Sequence, residues 1–98
     1  MYLFFDTETT GKAKNFNASF KDTDNWPRVT QLAWQVYNEE GKLFKSFSSL
    51  IKPDGWEVPK EKFFIDHNMS TERCANEGVP IIDILSKFIE QINKSACF

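Results

Sequence analysis

Asp6 and Glu8 are the residues whose types and spacing could most readily do chemistry. They follow Tyr2-Leu3-Phe4-Phe5, a short apolar run that reads as a fully buried strand, and precede Thr9-Thr10-Gly11. In an extended chain, positions i and i+2 point to the same side with Cα atoms roughly 6.6 Å apart. Two carboxylates held that close repel unless a cation lies between them. Mg²⁺ or Mn²⁺ removes the conflict, because such hard ions take oxygen ligands and Mg²⁺ is usually held by one or two carboxylates with water and phosphate oxygens. A pair of ions about 3.5 to 4 Å apart clamps the attacking and leaving oxygens of an in-line phosphoryl displacement. Two alternate acids alone more often mark a solvated strand end. The weight lies in the strand before them and in the hydroxyls and amides after them.

The rest of the sequence must position that pair. Thr7 to Pro27 is polar and reads as a long loop, a kind usually functional when it lacks structure of its own. A strand is expected at about 28–38, with Leu32, Trp34 and Val36 on one face. Glu39-Glu40-Gly41 then turns the chain into another strand at about 42–51, making an antiparallel hairpin. Pro53-Asp54-Gly55 ends the hairpin, and 56–69 reads as irregular. Ser70 is an N-cap candidate for a short helix at about 71–76 closed by Gly78, and Pro80 suits the start of a helix at about 80–94. On that helix Ile81, Leu85, Phe88 and Ile92 form the expected buried stripe, widened by Ile82 and Ile89, with Asp83, Lys87, Gln91 and Lys94 facing water. Ser95 to Phe98 reads as the first step of a further strand. The fold class is α/β: a three-stranded, mostly antiparallel sheet (strands at about 2–6, 28–38 and 42–51) with helices packed on it.

Composition narrows the function. The 98 residues amount to one domain at most, and 41% hydrophobic content with ten Phe and three Trp is enough for a core, so most of these rings are expected inside. Twelve basic and fourteen acidic residues, mixed along the chain, leave a net charge of -2 and no basic stripe for clamping a phosphate backbone. An enzyme that meets phosphate through bound cations stays open. Cys74 and Cys97 fit neither a zinc spacing nor a disulfide framework and read as reduced thiols. Without a targeting segment or long apolar run, the expected compartment is the cytoplasm, with no membrane partner.

Phe4-Phe5-Asp6-Thr7-Glu8-Thr9-Thr10-Gly11 resembles the first motif of the DnaQ-like 3′→5′ exonucleases, the DEDD group on the ribonuclease H-like fold. Pro27-Arg28-Val29-Thr30-Gln31-Leu32-Ala33 is similar to the family's second strand, and Lys52 to Pro59 to the segment after its third. His67-Asn68-Met69-Ser70 stands where the family has His-Gly-Ile-Thr, and Gly78-Val79-Pro80 where its next helix begins. The resemblance spans the chain but only the first half of the family's domain, so residues 1–98 are expected to be the N-terminal part of one exonuclease domain.

The resemblance implies that Asp6 and Glu8 are two of four metal-binding acids, Asp6 bridging both ions and Glu8 binding one. It also implies that Thr9 and Thr10 line the site of the terminal nucleotide, and that His67 and Met69 contact its base or sugar. The implied cofactor is Mg²⁺ or Mn²⁺, and the implied partner a single-stranded DNA or RNA 3′ end, with a DNA polymerase as a further partner. The family's His-Asn-x-x-Phe-Asp motif and its later His-x-x-x-x-Asp do not occur in these residues. His67 to Glu72 fits H-x-x-x-x-E, but it falls in the substrate loop and is not read as the base. Little or no activity of the 98 residues alone is therefore expected. A competing expectation is a non-catalytic nucleic-acid-binding or self-associating remnant, whose open sheet edge pairs with a second copy or a complementing chain.

Overall fold

The computed structural model describes residues 1–22 and 25–95. It contains strands β1 (Tyr2–Thr9), β2 (Val29–Tyr37) and β3 (Leu43–Leu50), followed by helices α1 (Lys62–Asp66), α2 (Thr71–Glu77) and α3 (Ile81–Ser95). The sheet order is β1-β2-β3 and both pairings are antiparallel. β2 is central, as its β-branched and aromatic content requires. Asn38 organises the hairpin turn: its side-chain oxygen accepts from the amides of Glu40 (2.9 Å) and Lys42 (3.0 Å), while Gly41 takes the left-handed conformation (φ 80°) that only glycine adopts freely.

Register divides the sheet into two faces. Leu3 opposite Val36, Phe5 opposite Trp34 and Thr7 opposite Leu32 belong to one face; Phe4 opposite Gln35, Asp6 opposite Ala33 and Glu8 opposite Gln31 belong to the other. Helix α3 covers the first face. Leu32, Trp34, Val36, Ile51 and Ile84 form its core, with Trp34 stacked on Phe47 (centroids 4.3 Å apart) and tilted against Phe88 (5.2 Å). On the second face Leu50, which pairs with Gln31, meets Val58, Phe64, Met69 and Cys74 in a separate core built by the segment after β3 together with α1 and α2. Trp56 packs against both cores and joins them.

Two devices close the structure. Ser70 caps α2, its hydroxyl accepting from the Arg73 amide at 3.0 Å. A parallel bridge between Ile51 and Val79 then ties the end of the hairpin to the approach of α3, with Lys52 N–H donating to Val79 O and Val79 N–H to Leu50 O, both at 3.0 Å. Gly78, at φ -78°, ends α2 in ordinary extended backbone, so its smallness and not a left-handed cap is what the position uses.

The segment after β1 is hydrogen-bonded to itself. Thr10 and Arg28 close its neck: Thr10 N–H donates to Arg28 O and Arg28 N–H to Thr10 Oγ1, both at 2.9 Å. Inside, the buried Asn25 side chain accepts from Asn15 N–H (2.7 Å) and donates to Asn15 O (2.9 Å), and Trp26 Nε1–H donates to Ser19 O.

Several expectations are corrected. β1 runs on to Thr9, past the expected end at about residue 6, so Glu8 as well as Asp6 lies within the strand. It is not buried: Phe4 and Phe5 are 61% and 62% exposed, because among the described residues β1 is an edge strand with a neighbour on one side only. A helix, α1, interrupts the stretch expected to be irregular. Most phenylalanines are not core, since Phe4, Phe5, Phe16, Phe20, Phe44 and Phe63 are exposed. On α3 the sheet-facing residues are Ile84, Phe88 and the buried Gln91, while Ile81, Ile82, Leu85, Ile89 and Ile92 are exposed. The helix lies over Trp34 and Phe47 of the hairpin, which turns the row Ile84, Phe88 and Gln91 inward: Phe88 of the expected stripe packs on the core, while Gln91, expected to face water, is buried. Ser95 ends α3, and Ala96 to Phe98, the rest of the anticipated strand, lie outside the described residues together with Cys97. Among the described residues no helix is long and apolar enough to cross a membrane.

Candidate functional site

A cleft of about 140 Å³ opens where the β1–β2 edge meets the second core. Glu8 and Thr9 of β1 line one wall and Thr30 and Gln31 of β2 its base. Phe63 and Phe64 of α1, His67 and Met69 after it, and Arg73 of α2 complete the lining. The β-bulge between Glu8 and Thr9 shifts the register there, and a bulge re-aims the side chains beside it.

The α1–α2 connection presents its residues through a tight local turn. Asn68 adopts a left-handed conformation (φ 54°), which asparagine tolerates better than most residues, and Met69 N–H donates to Phe64 O at 2.7 Å. His67 Nδ1–H donates to the Phe63 carbonyl at 2.7 Å, and the imidazole packs on the Phe63 ring with centroids 4.3 Å apart. The ring is thus fixed, and Nε2 is the nitrogen left for a ligand. Arg73 braces the turn: Nη1–H donates to Asn68 O (3.1 Å) and Nε–H to Glu77 (2.8 Å), which leaves a guanidinium at the cleft wall.

Below the cleft, burial pushes the Cys74 thiol above its ordinary range, an effect that the nearby Arg73 charge opposes and Glu77 reinforces. Cys74 is therefore a neutral packing group against Met69 (3.6 Å between sulfurs) and not a nucleophile. Thr30 is fully buried, and its Oγ1 has no hydrogen-bond partner among the described residues. A buried hydroxyl without a partner is costly, so Thr30 is a point of stored strain beneath the cleft.

The cleft brings Glu8, Thr9, His67 and Met69 together. Asp6 stands next to it on the same face of β1, bordering a shallow groove over Phe4, Ala33, Gln35, Ser46 and Ser48. Its Oδ1 accepts from Thr7 N–H at 3.0 Å, and both acids are exposed. Thr10 stands apart, its hydroxyl engaged by the Arg28 amide at the loop neck. Trp26 and Trp56, the aromatics that could have stacked on a base, are occupied by the loop and by the two cores.

No protein-family model, curated protein or solved structure matches this chain. The site's chemistry therefore rests on its geometry. Among the described residues no third Asp, Glu, His or Cys joins the two acids in a metal-holding group. Two exposed carboxylates on one strand face nonetheless suit a hard cation that fills its remaining positions with water and substrate oxygens.

Sequence reading missed Thr30, Gln31, Phe63, Phe64 and Arg73. Helix α1 has five residues, too short for any periodicity to announce it. Arg73 carried a signal that could have been used: it is three residues past the N-cap Ser70, so it belongs to the first turn of α2, the turn beside His67 and Met69.

Proposed function

We propose that this chain carries half of the metal site of a DnaQ-like 3′→5′ exonuclease with a ribonuclease H-like fold. The observation that carries the reading is the meeting of Glu8 and Thr9 with His67 and Met69 in one cleft, next to Asp6 on the same strand face. The antiparallel order β1-β2-β3 with a covering helix supports it as well. In this reading Asp6 and Glu8 hold Mg²⁺ or Mn²⁺, which when bound supplies an activated water and neutralises charge on the scissile phosphate. Thr9, whose hydroxyl donates to Gly11 O at 2.9 Å, keeps an oxygen that can accept from the terminal sugar, and His67 and Met69 pack against the terminal nucleoside. The substrate is a DNA or RNA 3′ end. Two acids with no positioned base among the described residues make, in this reading, a binding site and not a working nuclease.

Paramagnetic line broadening tests the reading. Added Mn²⁺ should broaden the amide signals of residues 6–9, and Asp6→Ala and Glu8→Ala should each remove most of that effect. Thymidine monophosphate should then shift Thr9, His67 and Met69 signals only with Mg²⁺ present. Broadening that is unchanged in both variants would sink the metal assignment. Degradation of a 3′-labelled oligonucleotide by the chain, lost in Asp6→Ala, would overturn the half-site and replace it with a complete one.

A second reading, a partner strand on β1, is favoured by a separate observation. Among the described residues the outer edge of β1 is unpaired, and Tyr2, Phe4 and Phe5 are exposed beside it. Exposed apolar edges template strand addition by a second copy or a complementing chain. Light scattering at millimolar concentration should show dimers, and a clean monomer there would argue against a second copy.

A further inference from the structure

On the α3 face of the sheet, away from the acids, lies a pocket of about 260 Å³ whose floor is the stacked pair Trp34 and Phe47. Its rim holds Lys45 of β3 with Lys87 and Lys94 of α3, against one carboxylate, Glu90. Lys87 Nζ stands 5.4 Å over the Phe47 ring, and Lys94 Nζ is 2.9 Å from Glu90. Glu90 is already committed: the hydrogen bond from Lys94, that group's charge and the charge of Lys45 hold its carboxyl below the usual range. Three ammonium groups and one carboxylate thus line the pocket, a local excess of positive charge on a chain whose net charge is -2.

Trp34 is 3% exposed, and its indole Nε1–H has no acceptor among the described residues. The N–H is closed off from the open pocket, so the ring serves there as a floor and its indole signal as a reporter of what binds above it. Lysines supply compact, strongly hydrated positive charges suited to phosphate, and several around one pocket suit a multiply charged anion better than a single carboxylate.

We propose that this pocket binds a small phosphate-bearing anion, with Lys45, Lys87 and Lys94 supplying the charge over the Trp34–Phe47 floor. The site is independent of Asp6 and Glu8 and lies on the other side of the sheet.

Amide and indole NMR of the intact chain tests it, with the Trp34 indole signal assigned through Trp34→Phe. Inorganic pyrophosphate at constant ionic strength should shift that signal saturably. Lys45→Gln and Lys87→Gln, both at exposed positions, should each weaken binding about fivefold or more, the scale of losing one charge-assisted contact. Asp6→Ala and Glu8→Ala should leave the titration unchanged, so failure here is separate from failure of the metal site. The proposal is overturned by an indole signal that does not saturate, by one that shifts equally in Lys87→Gln, or by a response confined to a short oligothymidylate with none to pyrophosphate.

Discussion

Trp34→Ala should cost about 3–5 kcal/mol of stability, the range for removing a large buried aromatic. Its ring is 3% exposed, stacks on Phe47 and packs against Phe88, so one side chain joins β2, β3 and α3. The two cores are small, and a domain of this size has on the order of 5–15 kcal/mol in total, so the loss is a large share of the whole. Urea unfolding followed by far-ultraviolet circular dichroism would show a collapsed midpoint. Trp34→Phe separates packing from the indole N–H: it keeps an aromatic ring, forfeits a donor that has no acceptor in the described structure, and should cost well under half as much. A loss below about 1 kcal/mol for Trp34→Ala, the size typical of unremarkable substitutions, would mean that α3 is held by something other than this stack.

Gly78→Ala should be nearly as severe for a different reason. Its backbone (φ -78°) is open to any residue, so no conformational strain enters. Space is the cause. An added Cβ would overlap the Cys74 carbonyl oxygen and lie 2.6 Å from Lys52 N and 2.7 Å from Ile51 C, all of them backbone atoms that cannot swing aside like a side-chain end. Overpacking of this kind costs about 1–3 kcal/mol, and sometimes more, before any hydrogen bond is lost. The backbone that must move carries the Lys52–Val79 and Val79–Leu50 bonds, each worth about 1 kcal/mol. A total near 3 kcal/mol is expected, with faster amide exchange at Lys52 and Val79. A change within about 0.5 kcal/mol, with unaltered exchange, would show that the α2–α3 junction yields more readily than its geometry implies.

These two positions were legible in the sequence to different degrees. Trp34 stands among alternating Leu32 and Val36 in a β-rich run, so its inward direction follows from period two alone. Gly78 was legible as the end of a helix, but its reason, a close approach between Ile51 and Val79, is a tertiary fact without local signature. The same division holds elsewhere. Ser70 announced its cap, and Glu39-Glu40-Gly41 its turn, while the part played by Asn38 came from the structure. The buried face of α3 was misread because Ile81, Ile82, Ile84, Leu85, Ile89 and Ile92 surround much of the helix, and a broad apolar arc does not say which row touches the sheet. β1 was misread because an aromatic run looks alike in a central and an edge strand. At the candidate site, Asp6 and Glu8 were visible through their spacing and His67 and Met69 through resemblance. Thr30 and Arg73 became visible only once the cleft had walls.

The neck formed by Thr10 and Arg28 brings together the two ends of the segment between β1 and β2 through one backbone bond and one hydroxyl bond. Doubling the length of such a segment adds only about 0.6 kcal/mol of closure entropy. Lengthening the segment at its exposed turns therefore adds little closure entropy, whereas exchanging it outright forfeits the paired bonds between Asn15 and the buried Asn25. The strand that carries the acids is held in register by β2 and the neck, and so is insulated from what is added at the far side of the segment.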